Sequence, residues 1–406
     1  MTIPGTEGKK EESMRDVVIV SAARTGIGAF QGALSRIPAT DLGAYAIVEA
    51  MRRAGISSDV VDEVIMGNVL PTGLGQNPAR QALIKGGLSH DVGAVTINKV
   101  CGSGLKAVMM AAQAIMVNDA DVIVAGGMES MSLAPHFLEK ARTGYRMGHD
   151  KLLDSMVHDG LWCHINDFHM GMSAELCAEK YDVTRKDQDE FALNSYNKAL
   201  KAQAEKGFDK EIFPVEIPQR KGSPVLFDSD EVVRETSMEA LTRLAPAFKK
   251  DGTVTAGNAS KISDGAAAVV LMAREKADAL GLKPMVRVGV QCSVGIDPKY
   301  VLVAPIDGIP KVLDKAGLTV DDIDIFEINE AFSSSSVAII KTLGLDPEKV
   351  NLRGGAVAMG HPIGASGTRV LTTLIYALKQ RNLKRGVASL CLGGAEAVAM
   401  AIEIVD

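Results

Sequence analysis

The fold is decided by residues 95–104, which read Val-Thr-Ile-Asn-Lys-Val-Cys-Gly-Ser-Gly. The β-branched residues of Val95–Val100 predict a strand, Cys101–Gly104 predicts a tight turn, and the Ala- and Met-rich Leu105–Val117 predicts a helix. A thiol in that turn lies at a helix N-terminus, where unpaired N–H groups and the helix dipole favour a thiolate. We therefore expect Cys101 to be a nucleophile. The alternative is a buried structural cysteine, the usual role of a lone Cys in an apolar run.

The chain contains two copies of one structural pattern. Residues 53–68 and 315–329 both read as a helix end, an Ala-Gly cap, an acidic turn, a strand and an Asn. Residues 101–127 and 365–394 both read as a turn, a helix, a strand and a Gly-Gly pair. Ligand sites in α/β proteins lie beyond the carboxyl ends of strands. The repeat therefore predicts a duplicated α/β fold with a site between equivalent turns of its halves.

Composition limits the possible compartments and partners. A chain of 406 residues with 40 Gly and 47% hydrophobic residues fits a large α/β protein with many strand–turn–helix junctions. Its net charge of −6 argues against nucleic acid or a membrane surface as a partner. Five irregularly spaced cysteines favour a reducing compartment. The polar segment Met1–Arg15 has no secretion or transit signature, and no apolar run is long enough to span a bilayer, so we expect a cytoplasmic location.

Four segments that such a fold brings together carry reactive side chains, and together they resemble the thiolases. The segments are Asn98–Ala107, Asn329–Phe332, Gly354–Gly367 and Cys391–Gly394. The resemblance runs from about Arg15 to the C-terminus, and its specificity comes from all four segments occurring in order within a duplicated chain. It implies two similar α/β halves packed as αβαβα layers, with an inserted lid or loop domain.

The resemblance also implies a division into three parts. Residues 1–131 form the N-terminal half, with 262–285 returning to it, and residues 286–406 form the C-terminal half. Residues 132–261 form the insertion, which is richer in charge, Met, Pro and aromatic residues than the flanking sequence. Its irregular sequence by itself indicates an inserted lid domain, with a structural excursion or an oligomer contact as the alternatives.

The implied chemistry is acyl transfer through a cysteine. Cys101 attacks a thioester and holds the acyl group, and His361 takes the thiol proton. Cys391 acts as the acid or base for the α-proton of a second acetyl-CoA. The enolate oxygen meets His361 and a water held by Asn329, and the thioester oxygen meets the N–H groups of Cys101 and Gly393.

The resemblance further implies contacts to coenzyme A thioesters as substrates, with no metal and no tightly bound cofactor. Met170 covers the acyl group, Phe248 and Ser260 follow the pantetheine arm, and Arg234 lies near the adenine and phosphates. One residue fewer than in the family pattern separates Arg234 from Phe248, and the alternative for Arg234 is a solvated surface charge. The expected substrate contacts are His169, Met170, Arg234, Phe248, Ala259, Ser260, Val301 and Phe332.

Two positions depart from the family pattern. Val301–Pro305 replaces the usual Met-Gly-x-Gly-Pro along the acyl pocket, so chain-length preference does not carry over. Glu396 lies where a glycine-rich tail is usual. If Glu396 faces inward, its charge raises the pKa of a neighbouring thiol. Otherwise it faces solvent or caps the turn.

The main hypothesis is an acyl-CoA C-acyltransferase that joins two acetyl-CoA molecules into acetoacetyl-CoA and CoA. Alternatives are a broad-chain degradative 3-ketoacyl-CoA thiolase, a ketosynthase-like condensing enzyme, and a non-catalytic acyl-CoA-binding scaffold. Retention of Cys391 argues against the last two. Zinc binding by His158, Cys163, His164 and His169 is a further alternative, but adjacent ligands are awkward for one tetrahedral ion. Leu133–Met147 resembles the family's tetramer loop, so we expect a homodimer or homotetramer.

Overall fold

The protein is described here by a computed structural model over residues 14–219 and 221–405. The expectation for Met1–Arg15 therefore falls almost wholly outside the described residues. The strands are β1 (Val17–Thr25), β2 (Gly28–Ala29), β3 (Glu63–Gly67), β4 (Gly93–Ile97), β5 (Val122–Ser130), β6 (His136–Phe137), β7 (Leu153–Asp154), β8 (Trp162–Cys163), β9 (Phe168–His169), β10 (Ile212–Phe213), β11 (Val215–Ile217), β12 (Val225–Phe227), β13 (Ser263–Ala273), β14 (Val286–Gly295), β15 (Ile325–Ile328), β16 (Arg385–Leu392) and β17 (Glu396–Ile404). The helices are α1 (Ala39–Ala54), α2 (Pro78–Lys85), α3 (Ser103–Met116), α4 (Met170–Lys180), α5 (Arg185–Ala204), α6 (Met238–Thr242), α7 (Arg274–Ala279), α8 (Pro305–Ala316), α9 (Ser333–Leu343), α10 (Ala356–Met359) and α11 (Ser366–Arg381).

Strands from both halves form one mixed sheet. Within residues 14–219 and 221–405 its order is β15-β16-β17-β14-β1-β13-β5-β3-β4, with β10 added to β1 and β2 to β13. Along this order β4, β3 and β5 run parallel in the first half and β15 and β16 run parallel in the second, while the other neighbouring pairs are antiparallel. The halves join where β1 pairs with β14 through Val18↔Arg287 and Ile19↔Val286. This repeated strand order confirms the predicted duplication.

The helices and strands stack as five layers, αβαβα, as predicted. Helices α1 and α2 cover the outer face of the first half, and α8 and α9 cover that of the second. Helices α3 and α11 lie between the inner faces of both halves. Side chains alternate along β5, where Val122 and Val124 face the outer layer while Ile123 and Ala125 face the central one. Both faces are therefore buried, which explains the continuous apolar run of this strand.

The two central helices touch at their N-terminal ends. A Cβ on Gly104 would lie 2.7 Å from the Thr368 hydroxyl, and a Cβ on Gly367 would lie 2.1 Å from the backbone nitrogen of Leu105. Glycine is thus required at both positions for the helices to approach this closely. The turn containing Cys101 precedes α3, and the loop containing His361 precedes α11, so this contact brings the two segments together.

Residues 132–261 supply α4, α5, α6 and three small strand pairs, β6–β7, β8–β9 and β11–β12. Part of the segment is continuous with the main sheet, because β10 pairs in parallel with β1 through Arg24↔Ile212. The strand that follows the segment, β13, lies between β1 and β5. The exact three-part division stays a prediction.

No helix in residues 14–219 and 221–405 is long and apolar enough to cross a membrane. All five cysteines are free thiols.

Candidate active site

One cavity of about 740 Å³ lies at the ends of the central helices and extends beneath the segment 132–261. Of the expected catalytic and substrate-contact residues, two lie outside its lining: Asn329 is buried against His361, and Val301 is buried next to Leu302. The others all line it: Cys101, His361, Cys391, Gly393, His169, Met170, Arg234, Phe248, Ala259, Ser260 and Phe332. Residues distant in the chain therefore converge on one space.

Cys101 is held in a strained turn. Val100 has φ 45°, a left-handed conformation that is a genuine outlier for a β-branched residue. The turn is closed by Asn98 Oδ1, which accepts from Val100 N at 2.9 Å, and by Ser103 Oγ, which accepts from Lys99 N at 2.8 Å. Helix α3 begins at Ser103, two residues earlier than predicted, so Cys101 lies just before its first turn. The turn fixes where the thiol enters the cavity.

The electrostatics of Cys101 differ from the prediction. Desolvation raises the pKa of its thiol to about 11, and the charge of Glu129 adds to this increase. Hydrogen bonds from the backbone N–H groups of Gly393 and Cys101 act in the opposite direction. The resting group is therefore a protonated thiol and not the thiolate expected from its helix position, because burial outweighs the helix terminus.

His361 is a neutral imidazole whose tautomer is set by its hydrogen bonds. Its Nδ1 lies 2.5 Å from Ser366 Oγ, which itself donates to Pro362 O at 2.9 Å, so Nδ1 carries the proton. Its Nε2 faces the Asn329 amide nitrogen at 3.5 Å. Burial, reinforced by Arg369, lowers the pKa of His361 to about 3. The unprotonated Nε2 is thus available to accept a proton at neutral pH.

Asn329 is positioned by the buried carboxylate that follows it. Glu330 accepts from Ser195 Oγ at 2.6 Å, from Asn351 Nδ2 at 2.9 Å and from Val357 N at 3.2 Å. Glu330 thereby ties the end of β15 to α5 and to the residues preceding His361. Sequence reasoning treated Glu330 only as part of a motif, whereas the structure gives it this anchoring contact.

Cys391 lies near the end of β16, beside the Cys101 turn. Burial raises the pKa of its thiol well above the ordinary range, and Cys101 adds to the shift. A Cβ on Gly102 would lie 2.2 Å from a Leu392 methyl, so the Cys101 turn packs directly against this strand end. A Cβ on Gly393 would lie 2.9 Å from Val100. Small residues at both positions allow the two thiol-bearing segments to approach.

Aromatic rings form one wall of the cavity. His169 caps α4 by accepting from Gly171 N at 3.0 Å, and its ring stacks on Phe248 at 4.8 Å between centroids. Phe248 in turn meets Phe332 edge to face at 6.2 Å. A Cβ on Gly171 would lie 2.2 Å from the Phe248 ring, which explains the glycine after Met170. This wall joins the inserted segment to the C-terminal half.

Several lining residues were not identified from sequence. Gly160 and Leu161 come from a π-helical turn, Met156–Leu161, whose course has no simple sequence signal. Lys261 also lines the cavity, and its position directly after Ser260 was the available signal. Arg234 is exposed at the cavity, while Leu302 lines it in place of the expected Val301.

Glu396 does not face the thiols. Its carboxylate pairs with Lys99 Nζ and is 41% exposed. The solvent-facing alternative is therefore the one the structure supports.

The proposed zinc ligands do not form a metal site. His158 pairs with Asp159 at 2.6 Å, and His164 Nε2 meets His158 O at 2.9 Å. His169 instead caps α4. No group of three or more His, Cys, Asp or Glu side chains in the described part of the chain is arranged to hold a metal ion.

Comparison with known proteins gives consistent matches along the chain. Residues 17–275 match the family described as "Thiolase, N-terminal domain", and residues 282–404 match "Thiolase, C-terminal domain". The acetyl-CoA acetyltransferase of Cupriavidus necator is 54% identical over 391 residues, covering 96% of this chain and 100% of that protein. That of Pseudomonas aeruginosa is 54% identical over 390 residues, covering 96% and 99%. The crystal structure of the Bacillus anthracis acetyl-CoA acetyltransferase superposes with a TM-score of 0.95 at 42% identity, covering 97% of this chain and 100% of that one.

Proposed function

The chain belongs to the thiolase family, and we propose that it joins two acetyl-CoA molecules reversibly into acetoacetyl-CoA and CoA through an acyl group on Cys101. The observation that carries the proposal is the convergence of Cys101, His361 and Cys391 in one cavity, which the backbone of Gly393 also lines. An acyltransferase that works through a covalent intermediate needs these groups together.

The first half-reaction uses the neutral imidazole. Because the Cys101 thiol is protonated at rest, its attack on a thioester carbonyl needs a base, and His361 Nε2 is unprotonated and faces the cavity. The Cys101 and Gly393 N–H groups support the negative oxygen of the tetrahedral intermediate. One such donor typically lowers the barrier by about 3–4 kcal/mol. CoA leaves as a thiolate and takes up the proton of Cys391, while the acyl group stays on the Cys101 sulfur and His361 keeps the proton that it took from Cys101.

The second half-reaction uses the other thiol. The Cys391 thiolate removes a proton from the methyl group of the second acetyl-CoA, and the enolate carbon attacks the carbonyl carbon of the Cys101 thioester. Cys101 leaves as a thiolate and takes back the proton that His361 had accepted from it. His361, together with a water held by the Asn329 side chain, supports the enolate oxygen. The contact between Asn329 Nδ2 and His361 Nε2, in the cavity wall that also carries both thiols, supports this assignment.

The CoA arm is proposed to follow the aromatic wall. His169, Phe248 and Phe332 offer flat apolar surfaces, and Ala259 and Ser260 form the adjacent edge. Met170 and Leu302 close the acyl end, while exposed Arg234 is placed to meet anionic groups of CoA. The proposed reaction uses acyl-CoA substrates and needs no resident cofactor.

The deciding measurement is CoA-dependent cleavage of three substrates, followed by loss of enolate absorbance. Cleavage of acetoacetyl-CoA alone supports the acetyltransferase. Cleavage extending to 3-ketohexanoyl-CoA and 3-ketodecanoyl-CoA makes the enzyme a broad 3-ketoacyl-CoA thiolase instead. No cleavage of any of the three overturns the proposal and favours a non-catalytic acyl-CoA-binding role.

We further propose a cytoplasmic homotetramer. Support comes from apolar side chains exposed on the segment that resembles the family's tetramer loop and on the residues after it, since such patches mark interfaces. They are Leu133, Leu138, Tyr145, Met147, Leu152, Trp162 and Ile165. Light scattering on the purified protein tests this: four times the chain mass of 42.9 kDa supports it, and a dimer or monomer mass overturns it.

A further inference from the structure

Lys261 is a titratable group that lines the cavity and has no part in the proposed reaction. Lys261 directly follows Ser260, and its Nζ donates to the carbonyl oxygens of Ala256 at 2.9 Å and Ala259 at 2.7 Å. In the described part of the chain no carboxylate forms an ion pair with it. An amine without a counterion thus lines the same cavity as Cys101.

The surroundings of Lys261 favour its uncharged form. A neutral amine has two N–H bonds and one lone pair, so the two carbonyls satisfy both hydrogens and leave the lone pair free. Burial, reinforced by the charge of Arg234, lowers the pKa of Lys261 to about 7, while Glu330 opposes the shift. The Tyr196 ring lies 5.6 Å from Nζ. Lysines in such settings are nucleophiles.

We propose that Lys261 is a self-acylation site, whose amine attacks the carbonyl carbon of an acyl-CoA thioester bound in the cavity. The C–N bond forms and the C–S bond breaks. CoA leaves as the thiolate and takes the proton lost by the amine, so the products are an Nε-acyl-lysine and CoA. No reactant beyond acyl-CoA is required. The inference rests on the proposed function in one respect, that acyl-CoA occupies this cavity.

Acylation of Lys261 changes the cavity in two ways. The amide keeps a single N–H and can no longer donate to both Ala256 and Ala259 carbonyls. The added acyl group also takes up space beside Ser260, on the proposed path of the CoA arm. The acylated enzyme therefore binds substrate more weakly, so prolonged exposure to acyl-CoA without CoA limits the enzyme's own activity.

The primary test uses the Cys101→Ala protein, which cannot form the acyl-cysteine. It is incubated with acetyl-CoA at pH 7.5, treated with hydroxylamine to remove thioesters, and mapped by peptide mass spectrometry. Lys186, 78% exposed at the start of α5, is the matched control lysine. We expect at least tenfold more acetyl-lysine at 261 than at 186, and protection of 261 by excess CoA. Equal labelling, or labelling that CoA does not reduce, overturns the proposal.

A second test uses the active enzyme. Wild type and Lys261→Arg, which keeps a cation but removes the nucleophile, are incubated with acetyl-CoA and then diluted into a thiolysis assay containing CoA. Relative to its own starting rate, wild type should lose at least half its activity while Lys261→Arg keeps its rate. Equal losses overturn self-acylation. Turnover without acetyl-Lys261 refutes the inference alone, whereas acetyl-Lys261 without turnover refutes the proposed function alone.

Discussion

The two halves of the molecule fill equivalent positions with different residues. Asn68 follows β3 as Asn329 follows β15. In the first half, Glu129 lies two residues after the last β5 residue that pairs with β3. In the second half, Cys391 lies two residues after the last β16 residue that pairs with β15. A buried carboxylate therefore stands in one half where a thiol stands in the other.

These positions differ in what surrounds them. Glu129 accepts hydrogen bonds from Asn68 Nδ2 at 2.7 Å, Val69 N at 3.0 Å, Leu70 N at 3.2 Å and Gly364 N at 2.9 Å. Gly364 lies two residues before α11, as Cys101 lies two residues before α3. The first half thus closes its pocket with a fully bonded carboxylate, while the second keeps a cavity. Duplication therefore supplied one framework, and the residue at this position decides whether the site is stabilised by a bonded carboxylate or carries a reactive thiol.

Of the substitutions that test this comparison, Cys101→Ala is expected to have the largest effect on turnover. Without the nucleophile no acyl-enzyme forms, and we expect turnover to fall roughly 10⁴-fold or more. Radiolabelled acetyl-CoA followed by protein precipitation measures the acyl-enzyme. Cys292→Ala is the matched control, because Cys292 is a buried thiol outside the cavity. Thioester label on the Cys101→Ala protein would contradict the assignment.

Cys391→Ser tests whether the thiol in the second half does proton chemistry. A serine hydroxyl keeps the shape but is a far weaker acid and base, so we expect condensation to slow roughly 10²–10⁴-fold. The Cys101 acylation burst should persist, because the attack on the thioester uses His361 and the CoA thiolate can leave without a proton donor. Rapid-quench measurement separates the two steps. Undiminished condensation would remove Cys391 from the mechanism.

Glu129→Gln tests the buried carboxyl of the first half through the pH dependence of the free energy of unfolding. Burial raises the pKa of Glu129 to about 7, whereas an unfolded glutamate has a pKa of about 4.3. Between these values the folded state binds a proton that the unfolded state lacks, so the free energy of unfolding falls as pH rises, by at most about 1.4 kcal/mol per pH unit. Urea unfolding of both proteins at pH 5 and 7.5 should show a steeper loss for wild type. Equal losses of stability in the two proteins would contradict the raised pKa of Glu129.

The smallest effect is expected from Glu396→Ala, just after Cys391 in the second half. Its pair with Lys99 is partly exposed, and pairs of this kind contribute about 0–1 kcal/mol to the free energy of unfolding. Turnover should stay within roughly twofold of wild type. A double-mutant cycle with Lys99→Ala measures the pair. A large change in kcat would show that Glu396 acts on the thiols after all.

Local patterns predicted much of this molecule. The strand–turn–helix around Cys101 is encoded by adjacent residues, and the duplication is visible because both halves repeat the same caps and turns. Segments 98–107, 329–332, 354–367 and 391–394 meet as expected, because each follows a strand or precedes a central helix. Sequence patterns of this kind report short-range structure well.

Features that depend on distant packing were not predicted. The pKa of Cys101 moves up and not down, because desolvation comes from side chains far along the chain, including Leu161 and Ile363. Val301 is buried outside the cavity lining, in the short helical segment Pro298–Val303, whose kink at Tyr300 has no simple sequence signal. Lys261 was missed because its carbonyl partners are fixed only by the folded loop. Burial is a property of the whole molecule.

The contact between Gly104 and Gly367 has a consequence for how this enzyme can change over evolution or by engineering. Cys101 and His361 precede two helices whose backbones are in contact at these glycines. A single methyl group added at either glycine would therefore push the nucleophile and the base apart. The walls come from residues such as Met170 and Phe248, whose contacts are side chain to side chain. Substitutions that change the substrate should therefore occur among these side chains, while the positions of the nucleophile and the base stay fixed.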